Sequence, residues 1–315
     1  MRHFLADDDL SPAEQAEVLE LAARLKRRPY DVRPLGGPQT VAMVFDKPTL
    51  RTQASFAAGI AELGGFPMMV DGTLAGIGKR ESVADVARVL GRQAAMIVWR
   101  TYEQSRIEEM AEYSGVPVVN ALTDDFHPCQ LLADLQTVRE HKADGGLSLA
   151  GLRVAFVGDG ACNMGNSWLL AGATAGMHVV VGAPEDYRPE ATMFERARQI
   201  ALGTGGSVDA VTDPRAAVEG ADVVVTDTWV SMGKEEEAEA RLAIFGDYQV
   251  TGGLMSLAKP DAIVMHCLPA YRGKEIEAAV LDGPQSVVCD EAENRLHAQK
   301  AILTYLWESR GRGDD

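Results

Sequence analysis

Short apolar runs alternate with stretches of helical period along this chain, and they do so in two blocks separated by one glycine-rich, charged break. In the first block, Val41 to Phe45, Pro67 to Val70, Ala95 to Trp99 and Val116 to Val119 are runs of strand length. Between them apolar residues recur at helical spacing, as at Phe56, Ile60 and Leu63 and again at Val83, Val86 and Leu90. A strand buried on both faces reads as continuously apolar, so the pattern predicts a parallel sheet with helices on both sides. The break is HKADGGLSLAGLR, and the pattern restarts with a strand over 153–157. Further strands are expected near 178–182, 222–226, 261–266 and 286–289, with helical patterns around 165–176, 192–203 and 213–218. A length of 315 residues suits two such α/β domains at roughly 150 residues each.

Local signals place several element ends. Ser11, Pro12 and Glu14 read as a helix N-terminus ahead of Val18, Leu19, Leu21, Ala22 and Leu25. Pro128 opens a longer helix over 127–140, with Leu131, Leu135 and Val138 on one face. Ala298, Ile302, Leu303, Leu306 and Trp307 predict a terminal helix, and RGRGDD reads as a loose tail.

Charge and cysteine usage narrow the function classes. Lys and Arg number 30 against 46 Asp and Glu, a net charge of −16, which disfavours a nucleic-acid or anionic-membrane surface because such partners need a basic field. Cys129, Cys162, Cys267 and Cys289 follow neither a disulfide framework nor a CxxC metal pattern. No metal or cofactor is expected, and a reducing cytoplasm is. The start MRHFLADDDL lacks an apolar signal segment and no apolar run is long enough to span a bilayer, so neither secretion nor membrane insertion is expected.

Five segments carry chemistry. In FDKPTLRTQASF, Thr49, Arg51 and Thr52 fall where a strand ends and a helix begins, a place that favours an anion; the bland alternative is an ordinary cap with a solvated Arg. His127 and Gln130 in TDDFHPCQ share one face of a first helical turn and offer hydrogen bonds to a carbonyl, unless His127 merely packs. Arg100 ends the strand MIVWR, at the carboxyl end where open α/β sheets bind ligands, with a surface Arg as the alternative. VGDGACNMGNS has GxGxxxxG spacing, and no acidic residue ends the following strand, so a nicotinamide site is a poor fit; Asn163 is either a ligand group or a turn residue. Asp227 in TDTWVSMG and Cys267 in MHCLPAYRG follow apolar runs and are placed to face one crevice, or to serve as a cap and a core thiol. Arg295 in DEAENRLH stands near the start of the terminal helix.

Taken in order, the S/T-x-R-T turn, the HPxQ helix start, the GDxxxNM turn, DxWxSMG, HCLP and DEAENRxH resemble the transcarbamoylase family, within it the ornithine carbamoyltransferases, from about residue 2 to 307. The resemblance implies two open parallel-sheet α/β domains joined by long helices: 1–140 binds carbamoyl phosphate, 141–292 binds ornithine, and a C-terminal helix over 293–310 packs back on the first domain. It implies transfer of a carbamoyl group to the δ-amine of L-ornithine, giving L-citrulline and phosphate, by a cytoplasmic homotrimer with active sites at subunit borders. A paralogue for another amine and a catalytically weakened homologue are the alternatives. By the resemblance, carbamoyl phosphate contacts fall on Thr49, Leu50, Arg51, Thr52, Gly76, Arg100, His127, Gln130, Cys267, Leu268 and Arg295, and ornithine contacts on Asn163, Asp227, Ser231 and Met232. Arg100, His127, Asp227, Cys267 and Arg295 are the catalytic candidates.

The chain departs from the family pattern at four places. Leu50 replaces a frequent Thr, Gln53 a second Arg, Cys162 an Asn, and Gly76 a Gln that reaches the phosphate of the neighbouring subunit. Lys79 and Arg80 of the same loop are the available substitutes.

Overall fold

A computed structural model describes residues 1–142, 148–230 and 235–310. The chain divides into two compact units, Met1–Gln136 with Glu293–Asp315, and Thr137–Ala292.

The first unit opens with α1 (Pro12–Arg27), whose capping box pairs the Glu14 amide with Ser11 Oγ at 3.4 Å and the Ser11 amide with Glu14 Oε2 at 2.9 Å. Then come β1 (Thr40–Phe45), α2 (Arg51–Glu62), β2 (Phe66–Asp71), α3 (Gly72–Ala75), α4 (Val83–Gln93), β3 (Met96–Arg100), α5 (Gln104–Ser114) and β4 (Val118–Leu122). The four strands form a parallel sheet in the order β2-β1-β3-β4. One face of β1 and β3, through Ala42, Val44, Ile97 and Trp99, packs on Ala87 and Leu90 of α4 and Ile107 and Met110 of α5. Val41, Met43 and Val98, on the opposite face, are equally buried, which explains the unbroken apolar runs. At the β4 edge Phe4 pairs with the strand: its amide donates to the Val118 carbonyl at 2.9 Å and its carbonyl accepts from the Asn120 amide at 2.8 Å.

The helix α6 (Pro128–Lys142) carries the chain from the first unit into the second. The glycine-rich link of the sequence falls largely at 143–147, outside the described residues. Next are β5 (Arg153–Val157), α7 (Asn163–Thr174), β6 (His178–Gly182), α8 (Ala191–Thr204), β7 (Ser207–Val211), α9 (Pro214–Val218), β8 (Val223–Thr226), α10 (Ala238–Phe245), α11 (Gly252–Met255), β9 (Ile263–Met265) and α12 (Ala278–Leu281). These five strands are also parallel, in the order β7-β6-β5-β8-β9. Their core joins Ala155, Val157, Val224 and Val264 to Trp229, Phe245, Val218 and Leu254. The last helix, α13 (Val288–Ser309), starts in the second unit and belongs to the first from Glu293 onward.

Two sequence expectations need correction. The run 286–289 is no strand: Ser286 makes a single bridge to Val264, and Val288 already opens α13. A four-residue apolar run buried at a helix start cannot be told from a strand by periodicity. Conversely, SVDAV forms β7 without an apolar run, because at the sheet edge only Val208 is fully buried.

In each sheet the strand order reverses once, between β1 and β3 and between β5 and β8. Chains leaving adjacent strands in opposite directions open a crevice at the carboxyl ends, where ligands of open α/β sheets bind.

Candidate active site

In the first unit the register sets Phe45, the last residue of β1, beside Arg100, the last residue of β3. The turn after β1 and the side chain of Arg100 therefore share the reversal point. Leu50 precedes α2 with no side-chain cap of its own and is strongly exposed, so its backbone is what it offers the turn. Arg51 opens the helix, half-buried, and Thr52 is fully buried one residue on.

Two guanidinium groups meet at Thr52. Arg295 Nη2 donates to Thr52 Oγ1 at 2.7 Å, and Arg100 Nη1 donates to the same oxygen at 3.3 Å and to Thr49 Oγ1 at 3.4 Å. A hydroxyl has two lone pairs and one proton. With both lone pairs occupied by guanidinium donors, the hydroxyl proton is what Thr52 has left to offer a further acceptor. Arg100 and Arg295 are themselves buried, and two like charges desolvated around one hydroxyl are costly unless an anion offsets them.

His127 immediately precedes α6 and Gln130 lies in its first turn, both buried. Burial, reinforced by the positive charges of Arg295 and Arg100, holds the His127 imidazole well below its ordinary pKa. It is neutral at physiological pH and can donate one N–H without adding a third cation. Gln130 Nε2 donates to Asp134 Oδ1 at 2.8 Å, one helical turn on, which turns the amide oxygen of Gln130 the other way. Asp134 was not singled out from sequence, although its i+4 spacing from Gln130 was a usable signal. Gly76 ends α3 with φ 68°, in the left-handed region, and offers only its backbone.

The second unit repeats the arrangement. Val157 of β5 is in register with Thr226 of β8, and Val225 with Met265 of β9, so the turns leading to Asn163, Asp227 and Cys267 leave three adjacent strand ends. Asn163 is the first residue of α7; Cys162 caps the helix, its sulfur accepting from the Gly165 amide at 3.4 Å. A Cβ on Gly165 would lie 2.4 Å from the Gly160 carbonyl oxygen, so the turn can close onto the helix only with glycine there. Asp227 Oδ1 accepts from the Thr228 amide at 2.7 Å and from Cys267 Sγ at 3.3 Å. Ser231 and Met232 lie outside the described residues.

The turn carrying Cys267 and Leu268 has a buried frame. His266 Nδ1 accepts from the Leu268 amide at 2.9 Å, its Nε2 donates to Glu275 at 3.2 Å, and its own amide donates to Glu291 at 2.9 Å. The Leu268 amide bond steadies that residue at φ 57°, a conformation leucine rarely adopts. Asp227, His266 and Cys267 place ligand-type atoms within 4.8 Å of one another. Both imidazole nitrogens of His266 are engaged in this frame, so the trio would have to break it to hold a metal. His266 and Glu291 stand inside the HCLP and DEAENRxH motifs and Glu275 outside any, but none is a site candidate from sequence because their framing contacts exist only in the fold.

Residues 2–140 match the aspartate/ornithine carbamoyltransferase carbamoyl-P binding domain, and residues 150–306 match the Asp/Orn binding domain of the same family. An ornithine carbamoyltransferase of Clavibacter michiganensis subsp. michiganensis is 62% identical over 305 residues, covering 97% of this chain and 98% of that protein. Among solved structures, the ornithine carbamoyltransferase of Pyrococcus furiosus is 43% identical with a TM-score of 0.90, covering 96% of both chains. The anabolic ornithine carbamoyltransferase of Campylobacter jejuni is 37% identical with a TM-score of 0.93, covering 98% of this chain and 100% of that one. The chain belongs to the aspartate/ornithine carbamoyltransferase family.

Proposed function

We propose that this protein is an enzyme that transfers the carbamoyl group of carbamoyl phosphate to the δ-amine of L-ornithine, giving L-citrulline and phosphate. The observation that carries the reading is the meeting of Arg100 and Arg295 on the Thr52 hydroxyl near a neutral His127. This set suits a ligand that combines a phosphate dianion with a carbonyl. Arg51, Arg100 and Arg295, with Thr49, Thr52 and the backbone of Leu50 and Gly76, take the phosphate. His127 and Arg100 donate to the carbonyl oxygen, while Gln130 holds the carbamoyl amide. Cys267 and Leu268 are assigned to the same ligand.

In the transfer the amine lone pair attacks the carbamoyl carbon, charge collects on the carbonyl oxygen, and the bond to the phosphate oxygen breaks. Each well-placed donor to that oxygen is worth about 3 kcal/mol in a closed site. The attacking nitrogen starts as an ammonium and ends as an amide N–H, so it gives up two protons. An alkyl amine with a pKa near 10 is neutral to roughly one part in a thousand at pH 7. Asp227, with Cys267 3.3 Å away, is assigned to orient that amine and to favour its proton loss. Asn163, Ser231 and Met232 are assigned to the amino-acid head. The chemistry needs proximity and electrostatics and no carrier group.

The active form is proposed to be a homotrimer in the cytoplasm with sites at subunit borders. Phe66 and Met69 on the edge strand β2, and Leu74 just beyond it, are exposed apolar residues that a second copy would cover. Among the described residues no helix is long and apolar enough to cross a membrane.

The test is to incubate the pure protein with carbamoyl phosphate and, separately, ornithine, putrescine, lysine, N-acetylornithine and aspartate, measuring ureido product and phosphate. Citrulline from ornithine is expected. Its absence at every carbamoyl phosphate concentration overturns the reading, and product from another amine alone identifies a paralogue.

A further inference from the structure

Arg241 lies on α10, outside every motif described above, yet its guanidinium is buried and held by several partners. Its Nη1 donates to Asp159 Oδ2 at 2.7 Å and to the Trp229 carbonyl at 3.1 Å, and its Nε donates to Glu237 Oε2 at 2.8 Å. The guanidinium carbon sits 5.2 Å from the centre of the Tyr187 ring. Asp159 is buried too, and its other oxygen accepts from the Ala161 amide at 3.1 Å, which shapes the turn leading into Cys162 and Asn163. Trp229 stands two residues after Asp227; its ring stacks on Phe245 of α10 with centroids 5.8 Å apart and lies against Gly158 of the other turn. One guanidinium nitrogen thus joins the turn that bears Asn163 to the turn that bears Asp227.

We propose that Arg241 is a positioning residue of the amino-acid subsite. By bonding Asp159 and the Trp229 carbonyl at once, it sets the separation of the two turns, so that the head and the amine of one amino acid meet groups already in place. The proposal rests on the functional reading above. An Arg is suited to the task because its planar fork can serve a carboxylate and a carbonyl together, which a Lys ammonium on a flexible stem does less well. Removing Arg241 strips the buried Asp159 carboxylate of its cation, whereas removing Asp159 leaves Arg241 paired with Glu237 but no longer tied to the turn that bears Asn163.

The test compares wild type with Arg241→Met, Arg241→Lys and Asp159→Asn, measuring ornithine and carbamoyl phosphate KM, kcat, and the rise in Tm produced by carbamoyl phosphate alone. Arg241→Met is expected to raise ornithine KM by roughly tenfold or more, the scale of a lost charge-assisted hydrogen bond. Carbamoyl phosphate KM and its Tm effect stay near wild type. Arg241→Lys recovers part of the loss, and Asp159→Asn shifts ornithine KM in the same direction as Arg241→Met. If Arg241→Met does not fold, the isosteric Asp159→Asn carries the test. An active folded variant with wild-type ornithine KM, or with both KM values raised alike, overturns the proposal alone. A wild-type chain that makes no citrulline overturns the functional reading and this proposal with it.

Discussion

Arg295 Nη2 donates to Thr52 Oγ1 at 2.7 Å across 243 residues of sequence. The bond brings the terminal helix α13 to the first turn of α2 and sets a second guanidinium on the hydroxyl that Arg100 already contacts. Arg295→Met is therefore expected to reduce kcat/KM for carbamoyl phosphate by about 100-fold to 1,000-fold, the effect of removing one preorganised donor. Carbamoyl phosphate should raise the Tm of the wild type and that of the variant far less. Equal thermal protection of both would remove Arg295 from the anion site.

The hydroxyl itself can be tested without changing side-chain volume. Thr52→Val leaves two buried guanidinium donors without their shared acceptor and is expected to cost about 1–3 kcal/mol of stability. Thr52→Ser keeps the acceptor and should lie near wild type. The urea midpoints of the two variants decide this, and a Val variant as stable as the Ser variant would contradict the geometry.

His127 supplies a pH signature. Burial first, then Arg295 and Arg100, lower its folded-state pKa well below the ordinary histidine value. The folded protein thus binds this proton less tightly than the unfolded chain. Stability from this group is intact above the unfolded pKa of about 6.5 and is lost as pH falls below it, by up to about 1.4 kcal/mol per pH unit. His3 and His297, both also shifted down by burial, add to the same trend. Urea unfolding at pH 7.5 and 5.5 should show wild type losing more stability on acidification than His127→Asn. An identical loss in both would mean His127 is not held neutral by the fold.

Gly76 carries an expectation of its own. Its φ is 68°, and an added Cβ would approach Arg80 Cβ to 3.0 Å. Gly76→Gln is expected to cost about 1 kcal/mol from the left-handed backbone. For a protein of this size that lowers Tm by about 2–4 °C, measurable by thermal denaturation. An unchanged or raised Tm would show that the loop relaxes readily to accept a side chain.

How much was legible in advance differed by element and by role. Continuous apolar runs such as 41–45 and 154–157 announced buried parallel strands because both faces of those sheets are covered. The edge strand β7 has no apolar run because only one of its five residues is buried, and the run at Val288 reads as a strand because a buried helix start and a strand share the same short run. Thr52, Arg100, His127 and Arg295 were each ambiguous alone and informative in order. Asp134, Arg241 and Glu275 fall outside every motif read from the sequence, and Asp159 and His266 stand inside the GDxxxNM and HCLP motifs with roles that only contacts made in the fold assign.

The amino-acid sequence alone determined the α/β class, the two-part organisation and the order of motifs that resembles the transcarbamoylases, because strand burial and turn chemistry are local properties written in residue periodicity and type. Only the tertiary structure decided that Arg100 and Arg295 share one hydroxyl, that His127 is neutral, and that a single buried Arg241 ties the turns bearing Asn163 and Asp227. Those are properties of desolvation and of groups brought together from distant positions. They do not exist until the chain has closed around them.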